Sequence, residues 1–215
     1  PDCQLHRKRR DTLPSEQIKR KRKLGRVQHM NTTNGFLSVN TNYDVLLAFQ
    51  KSECIYDVTY HFTNRFLKND ERTRNQMIQA ARSGKQNITE GIEDYRTSKE
   101  MGLKLINVAR GSLQELLQDY KDYLRVRGLE QWQRDSQKAV QCRSVCARHN
   151  DSAFYRERLD ARDDTAIANI AITLIFQANK LLYGLIEYLK RDFLENGGIK
   201  EEMTRARLNR RNMRG

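Results

Sequence analysis

Hydrophobic residues recur every three or four positions along four long stretches of this chain, which is the spacing of helices with a buried face. In the first stretch they are Leu46, Phe49, Ile55, Val58, Phe62 and Phe66. The pattern predicts a helix over about residues 44–67. We expect Asp44 to be its N-cap, because an aspartate accepts hydrogen bonds from the free amide groups of a first helical turn. Asn69 and Asp70 end this helix and cap the next.

The second stretch predicts a helix over about residues 71–95, with a seam of mixed large and small residues. The seam follows intervals of four, three, four, three and four: Met77, Ala81, Gly84, Ile88, Gly91 and Tyr95. Glycine inside a helix costs about 1 kcal/mol relative to alanine. Two glycines on one seam therefore indicate that a neighbouring backbone or a large side chain comes close.

The third stretch predicts a helix from Ser98 to about residue 127, ending near Gly128, with two apolar stripes. The first stripe is Met101, Leu105, Val108, Ser112 and Leu116, and the second is Leu103, Ile106, Leu113, Leu117, Tyr120 and Leu124. Two stripes indicate burial on two sides. One stripe would face the core, and the other a second helix of the fold or a neighbouring subunit.

Residues 129–162 are rich in polar side chains and predict weak helix and loop at the surface. Asp163 and Asp164 then cap a strongly apolar helix over about residues 164–194, which stops at Asn196-Gly197-Gly198. Proline, which breaks helices, occurs only at Pro1 and Pro14.

We therefore predict an all-α fold, an antiparallel up-and-down four-helix bundle. Its domains are a basic, disordered segment over residues 1–43, the bundle over 44–196 with the polar insert 129–162 between helices three and four, and a basic helical suffix over 197–215.

Charge bears on partners rather than on fold. The 215 residues carry a net charge of +13, and most of it lies at the two ends. Residues 1–29 hold ten Lys and Arg against three acids, with too few large apolar residues to fold alone. They are either a basic arm or sequence upstream of a start at Met30. Residues 199–215 carry +4, and the sequence between the two ends is close to neutral.

This distribution makes nucleic acid the first candidate partner. A Lys or Arg at a phosphate releases counterions without sequence preference, and arginine adds bidentate contacts. The candidate residues are Arg74, Arg82 and Lys85, which can share a face of helix two, and Arg205, Arg207, Arg210 and Arg211 in the suffix. The alternative for the helix-two residues is a solvated face whose charges pair with acids.

Sequence motifs of enzymes and metal sites are missing. Ser83-Gly84-Lys85 is a mere fragment of a phosphate-binding loop, and no H-E-x-x-H or E-x-x-H motif occurs. Glu53, Asp57 and His61 share a helical spacing, as do Cys142, Cys146 and His149. Each set lacks the further ligands of a structural metal site. We expect no enzyme activity, cofactor or metal, with zinc at the cysteine set as the alternative.

The sequence also predicts a cytoplasmic protein that does not enter a membrane. The N-terminal region lacks the apolar core of a signal peptide, and the longest apolar stretch, residues 166–176, is too short to span a bilayer. Four cysteines in 215 residues are too few for a disulfide framework, so we expect reduced thiols.

Two short motifs on helix two resemble a family signature. Ala80-Ala81-Arg82-Ser83 is followed by Asn87-Ile88-Thr89-Glu90-Gly91, and helix three continues with Ala109-Arg110-Gly111-Ser112-Leu113-Gln114-Glu115-Leu116. The pattern is similar to a bacterial four-helix-bundle family. That family includes proteins encoded in intervening sequences of large-subunit ribosomal RNA genes and the accessory variability determinants of diversity-generating retroelements. The segment from Gly197 to Arg207 resembles the suffix of one branch.

The resemblance implies an up-and-down bundle that assembles as a homopentamer and has no enzyme activity. Its retroelement members bind nucleic acid and a reverse transcriptase. We therefore expect a homo-oligomeric scaffold that binds RNA or DNA, structured RNA first, through basic surfaces and tails. The alternative is a protein-interaction module that partners a reverse transcriptase or another mobile-element protein without binding nucleic acid directly.

Overall fold

A computed structural model of the chain describes residues 43–213, and this part is all helical, without a strand. The predicted N-terminal segment 1–43, apart from Tyr43, and the last two residues lie outside the described residues. A 3₁₀ turn spans Tyr43–Val45. The α-helices that follow are α1 (Leu47–Phe66), α2 (Glu71–Asp94), α3 (Lys99–Val126), α4 (Gln137–Arg148), α5 (Ser152–Leu159), α6 (Asp164–Asn196) and α7 (Ile199–Asn212).

Side chains cap three of the predicted helix starts. The carboxylate of Asp70 accepts a hydrogen bond from the Thr73 amide, and the hydroxyl of Ser98 accepts one from the Met101 amide. Asp163 does the same for Ala166 at the start of α6. The prediction of Asp44 as the cap of α1 is wrong. The chain first makes the 3₁₀ turn, so α1 begins at Leu47, three residues later than predicted. Its N-cap residue is Leu46, whose side chain forms no capping hydrogen bond.

Four long helices enclose the hydrophobic core. α1 packs against α2 and α6, and α3 packs against the same two helices. The seam predicted on α2 is buried throughout, and so is most of the second stripe predicted on α3. The first stripe of α3 behaves differently, because Met101 and Val108 are 45% and 44% exposed. The core therefore uses the second stripe together with Leu116 of the first, while Met101 and Val108 of the first stripe face outward.

Glycines allow α2 and α3 to approach each other closely. A Cβ on Gly84 would lie 2.7 Å from the Leu113 side chain, and one on Gly91 would lie 2.8 Å from Ile106. Both distances are shorter than carbon atoms tolerate, so a larger residue at either position would force the facing side chain to move. The expectation drawn from the two seam glycines is thereby confirmed.

The polar insert is more ordered than its composition predicts. It forms α4, which packs on α6, and α5, which packs on α1. Cys146, Tyr155 and Leu159 are almost completely buried in these contacts. The prediction of weak surface structure was wrong here, because these three side chains lie on the inner faces of two short helices. Together they cover part of the hydrophobic core.

α6 is the most apolar helix. By length and composition alone, one 18-residue window in the continuous segment Asp164–Asn212 is apolar enough to cross a membrane, with a mean hydropathy of 1.3. In this fold 56% of that window is buried, as expected of a central core helix.

The suffix forms α7, after Gly197 ends α6 with a φ of +75°, a conformation that favours glycine. No side chain of α7 is buried. Its first turn is held by Lys99, whose ammonium lies 2.8 Å from Glu202 and 3.0 Å from Asp192 of α6. The rest of α7 presents its side chains to solvent.

Candidate nucleic-acid interface

The three basic residues predicted on α2 share one face of that helix. At about 100° per residue, Arg74, Arg82 and Lys85 fall within roughly 80° around the helix axis. Lys85, at one end of this face, meets α1, because its ammonium lies 5.0 Å from the centre of the Tyr56 ring. The spacing argument from the sequence therefore places these residues correctly on a common face.

An exposed aromatic pair on α1 adjoins this face. The rings of Tyr56 and Tyr60 are stacked one helical turn apart, with centroids 6.3 Å apart and planes inclined by 26°. Tyr60 is 53% exposed, while Tyr56 is partly covered. Because Lys85 lies over Tyr56, one helix supplies a cation beside a ring that the other helix supplies. We call Tyr56, Tyr60, Arg82 and Lys85 the tyrosine–lysine face.

Two of the cations on this side of the molecule are free to meet an external anion. Arg82 is exposed, and neither Arg82 nor Lys85 forms an ion pair with any residue between 43 and 213. Arg74 differs, since one of its terminal nitrogens lies 3.8 Å from Glu71. The alternative of charges paired with acids therefore fits Arg74 and does not fit the other two.

A shallow groove between α1 and α5 continues from Tyr60. Its lining includes Asn64 of α1, Lys68 of the turn after α1, and Arg156 of α5. Arg156 is engaged there, because its guanidinium lies 2.6 Å from Asp57. This groove mixes positive and negative side chains and carries no concentrated charge of its own.

The helical spacing of Glu53, Asp57 and His61 does not produce a metal site. Asp57 is paired with Arg156, and His61 lies 3.8 Å from Asp160, which directly follows α5. Among the described residues no group of three His, Cys, Asp or Glu side chains could hold a metal ion.

The same holds for the second set of metal-ligand residues. The sulfur atoms of Cys142 and Cys146 lie 3.8 Å apart, but the His149 ring stacks flat on Phe154 at 3.6 Å between centroids. The alternative of a zinc site with three protein ligands thus finds no support in the geometry of α4 and α5.

The four suffix arginines are all exposed on α7 but do not share one face. At about 100° per residue, Arg207, Arg210 and Arg211 lie within roughly 100° of one another, and Arg205 lies on the other side. Arg205 also donates a hydrogen bond to the Asn196 carbonyl at 3.1 Å. α7 and α2 are not among the helix pairs that pack extensively against each other.

Sequence reasoning missed Tyr56 and Tyr60. Their spacing of four residues is visible in the sequence, and Tyr60 falls outside the apolar seam of α1. Their relation to Lys85 depends on how α1 packs on α2, which no local pattern reveals. Comparison of the chain with protein-family models, with curated proteins and with solved structures finds no match.

Proposed function

We propose that this protein is a non-enzymatic, homo-oligomeric helical scaffold that binds RNA or DNA, with the tyrosine–lysine face as the principal contact. The observation that carries the proposal is the Lys85 ammonium beside the Tyr56–Tyr60 pair, of which Tyr60 is half exposed. The exposed Arg82 lies on the same face of α2, and neither cation has a carboxylate partner among residues 43–213. A cation at this surface attracts a phosphate group, and an exposed ring offers a stacking surface to a base.

These two kinds of contact together favour nucleic acid over other polyanions. Stacking of one base on an aromatic side chain contributes about 1–3 kcal/mol and tolerates any base. Cations that neutralise phosphates make the affinity fall with salt. A polyanion without bases would use the cations alone, so loss of the Tyr60 ring would leave its binding unchanged.

The suffix supports the same function as an auxiliary contact. Arg207, Arg210 and Arg211 give α7 one strongly positive side, exposed to solvent along its length. A single α7 would bind phosphates weakly. In an assembly of several copies, repeated suffix helices on one nucleic acid would raise the apparent affinity by avidity.

We also propose that the four long helices form an antiparallel up-and-down bundle. Along α2 and α3, Gly84 meets Leu113, whereas the later Gly91 meets the earlier Ile106. Along α3 and α6, Lys99 meets Asp192. The Tyr123 hydroxyl lies 2.8 Å from Asp164, so the order is again reversed. These crossed orders are what antiparallel neighbours would give.

An exposed apolar stripe on α6 supports self-association, which the family resemblance implies to be pentameric. Phe176, Tyr183 and Leu194 are 52%, 58% and 82% exposed and fall within about 20° of one another at 100° per residue. Such a stripe equally suits a protein partner such as a reverse transcriptase, which is the alternative function. Light scattering coupled to size exclusion gives the number of copies.

Fluorescence anisotropy with a labelled RNA hairpin carrying a single-stranded tail tests the proposed contact. We expect the Arg82→Gln/Lys85→Gln variant to lower the slope of log affinity against log salt by about 1.4–1.8, since each phosphate contact contributes about 0.7–0.9. Tyr60→Ala should weaken binding about 10-fold with the slope unchanged, as expected for roughly 1–3 kcal/mol of stacking.

Lys104→Gln is the matched control, because Lys104 is an exposed α3 lysine outside the tyrosine–lysine face. It should lower the slope by much less than the double variant. Two results would refute the proposal: absence of binding by the wild-type protein at 50 mM salt, or equal slopes for the control and the double variant.

A further inference from the structure

Two cysteines on α4 form a close pair of thiols that the proposed function does not use. Cys142 and Cys146 are one helical turn apart, and their Sγ atoms lie 3.8 Å from each other. Cys142 is partly exposed, whereas Cys146 is 1% exposed. The Cys142 thiol can therefore meet a small solute, whereas the Cys146 thiol is shielded from solvent.

The surroundings of the pair are polar and come from three other helices. The Cys142 thiol lies 3.5 Å from the Thr173 hydroxyl of α6. The ammonium of Lys51 of α1, itself 2% exposed, donates hydrogen bonds to the carbonyl groups of Cys146 and His149. Tyr155 of α5 donates its hydroxyl to the same His149 carbonyl at 3.0 Å. Lys51 and Tyr155 thus hold the C-terminal end of α4.

The two thiols differ in their ease of ionisation. A hydrogen bond from Cys146 lowers the pKa of Cys142 below its ordinary value, against the opposing effect of burial. Thr173, Arg162 and Arg143 favour the Cys142 thiolate in the same direction. The hydrogen bond to Cys142 and burial both raise the pKa of Cys146, despite the positive charge of Lys51.

We propose that Cys142 and Cys146 form a reversible oxidation site for hydroperoxides, in which Cys142 is the attacking thiol and Cys146 the resolving thiol. The Cys142 thiolate attacks one oxygen of hydrogen peroxide, the O–O bond breaks, and hydroxide leaves. The product is a sulfenic acid, in which the sulfur has been oxidised by two electrons. The Cys146 sulfur then attacks the Cys142 sulfur, its proton joins the departing hydroxyl as water, and a disulfide remains.

Disulfide formation would pull on the part of α4 that Lys51 holds. The Cβ atoms of residues four apart in a helix lie about 5–6 Å from each other. A disulfide needs roughly 3.5–4.5 Å. The turn between Cys142 and Cys146 must therefore tighten, which displaces the Cys146 carbonyl from its contact with Lys51. Oxidation thus alters the contact between α4 and α1, independently of nucleic-acid binding.

Peptide mapping of the full-length protein tests the proposal directly. The reduced protein is treated with equimolar hydrogen peroxide, free thiols are blocked under denaturing conditions, and the protein is digested with trypsin. Cleavage after Lys138, Arg143 and Arg148 places the two cysteines on separate peptides, 139–143 and 144–148. We expect these peptides to appear as a disulfide-linked pair that a phosphine reductant separates, while the fully buried Cys54 stays reduced.

Variants assign the two roles. Cys146→Ser should leave Cys142 as a sulfenic acid that dimedone labels, and Cys142→Ser should abolish both the linked pair and the dimedone label. Cys3→Ser, which removes the one cysteine outside the described residues, should leave the linked pair unchanged. Circular dichroism checks that each variant is folded. The peptide mapping of the wild-type protein tests the proposal even if a variant does not fold.

Three results would overturn the proposal. The two peptides could stay reduced in peroxide, Cys142 could link to Cys3 or Cys54 instead, or the wild-type protein could accumulate sulfinic acid at Cys142 without any linked pair. Each would show that Cys146 does not resolve an oxidised Cys142.

Discussion

Gly91 and Gly102 meet backbone to backbone where α2 crosses α3. A Cβ placed on Gly102 would lie 2.6 Å from the carbonyl oxygen of Gly91 and 2.7 Å from the Cα atom of Tyr95. Both neighbours are main-chain atoms, which cannot move aside by a side-chain rotation. This contact fixes the separation of the two helices at one end of their interface.

Gly102→Ala should therefore destabilise the fold, although alanine is the better helix former. Insertion of a methyl group into a packed interface costs about 1–3 kcal/mol, which exceeds the roughly 1 kcal/mol that alanine gains over glycine in a helix. Gly111→Ala on the same helix is the matched control, because a Cβ there meets no atom within 4 Å. Urea unfolding should show a lower midpoint for the first variant and a higher one for the second. A higher midpoint for both variants would contradict the prediction, because it would show that the interface between α2 and α3 accommodates the added methyl group.

Tyr120 and Thr59 form a hydrogen bond inside the core, and a double-mutant cycle should detect it. The Tyr120 hydroxyl donates to the Thr59 hydroxyl at 3.0 Å, and both residues are fully buried. Tyr120→Phe leaves the threonine hydroxyl without this donor, which should cost about 1–3 kcal/mol of unfolding free energy. Once Thr59→Val is present, Tyr120→Phe should cost much less. Urea unfolding of the four proteins measures the coupling, and strictly additive losses would contradict it.

The sequence predicts the long helices well because each has a continuous apolar face. The α2 seam is an example, since its period, its two glycines and the Asp70 cap are all local signals that tertiary packing reinforces. The insert could not be predicted in this way. Cys146, Tyr155 and Leu159 are few and widely spaced, and their burial depends on surfaces that α1 and α6 provide.

The candidate site likewise has one part that the sequence predicts and another that depends on how the helices pack. The common face of Arg82 and Lys85 follows from helix geometry within α2 and was predictable. The tyrosine pair beside it depends on which face of α1 meets α2, a relation between residues some 30 positions apart in the chain. The sequence could not show that Arg205 would bind the Asn196 carbonyl either, because that contact needs the turn at Gly197.

Acid should weaken the anchor of α7 through Asp192. Burial opposes ionisation, but hydrogen bonds from Tyr95, Lys99 and Asn196 lower the pKa of the Asp192 carboxyl below its ordinary value. A carboxyl group with a lower pKa in the folded state stabilises the fold above its unfolded pKa of about 3.9. That stabilisation is lost as the pH falls through the folded pKa.

Asp192→Asn should accordingly lower the unfolding free energy at pH 7, and the difference should shrink as the pH falls through the lowered pKa of the folded-state carboxyl, where the wild-type group becomes protonated as well. Urea unfolding between pH 7 and pH 2.5 measures this convergence. Asp135→Asn is the control, because Asp135 is exposed and forms no hydrogen bond or ion pair among the described residues. A constant difference between wild type and Asp192→Asn at every pH would contradict the assignment.

The suffix arginines should differ in their contribution to nucleic-acid binding, although their charges are equal. Arg207, Arg210 and Arg211 lie within roughly 100° of one another on α7. Arg205 lies on the other side of the helix and is tied to the Asn196 carbonyl. A guanidinium that faces solvent can meet a phosphate without giving up an existing contact. Replacing it with glutamine should lower the slope of log affinity against log salt by about 0.7–0.9.

We expect this loss for Arg207→Gln, Arg210→Gln and Arg211→Gln, and a smaller loss for Arg205→Gln, in titrations of the RNA hairpin at four salt concentrations. The four variants remove the same charge from the same helix, so a general electrostatic effect would change all four slopes equally. Only direct contact by one side of α7 separates Arg205 from the other three. Equal slopes for all four variants would therefore exclude a contact by that side of α7 and leave the tyrosine–lysine face as the binding surface.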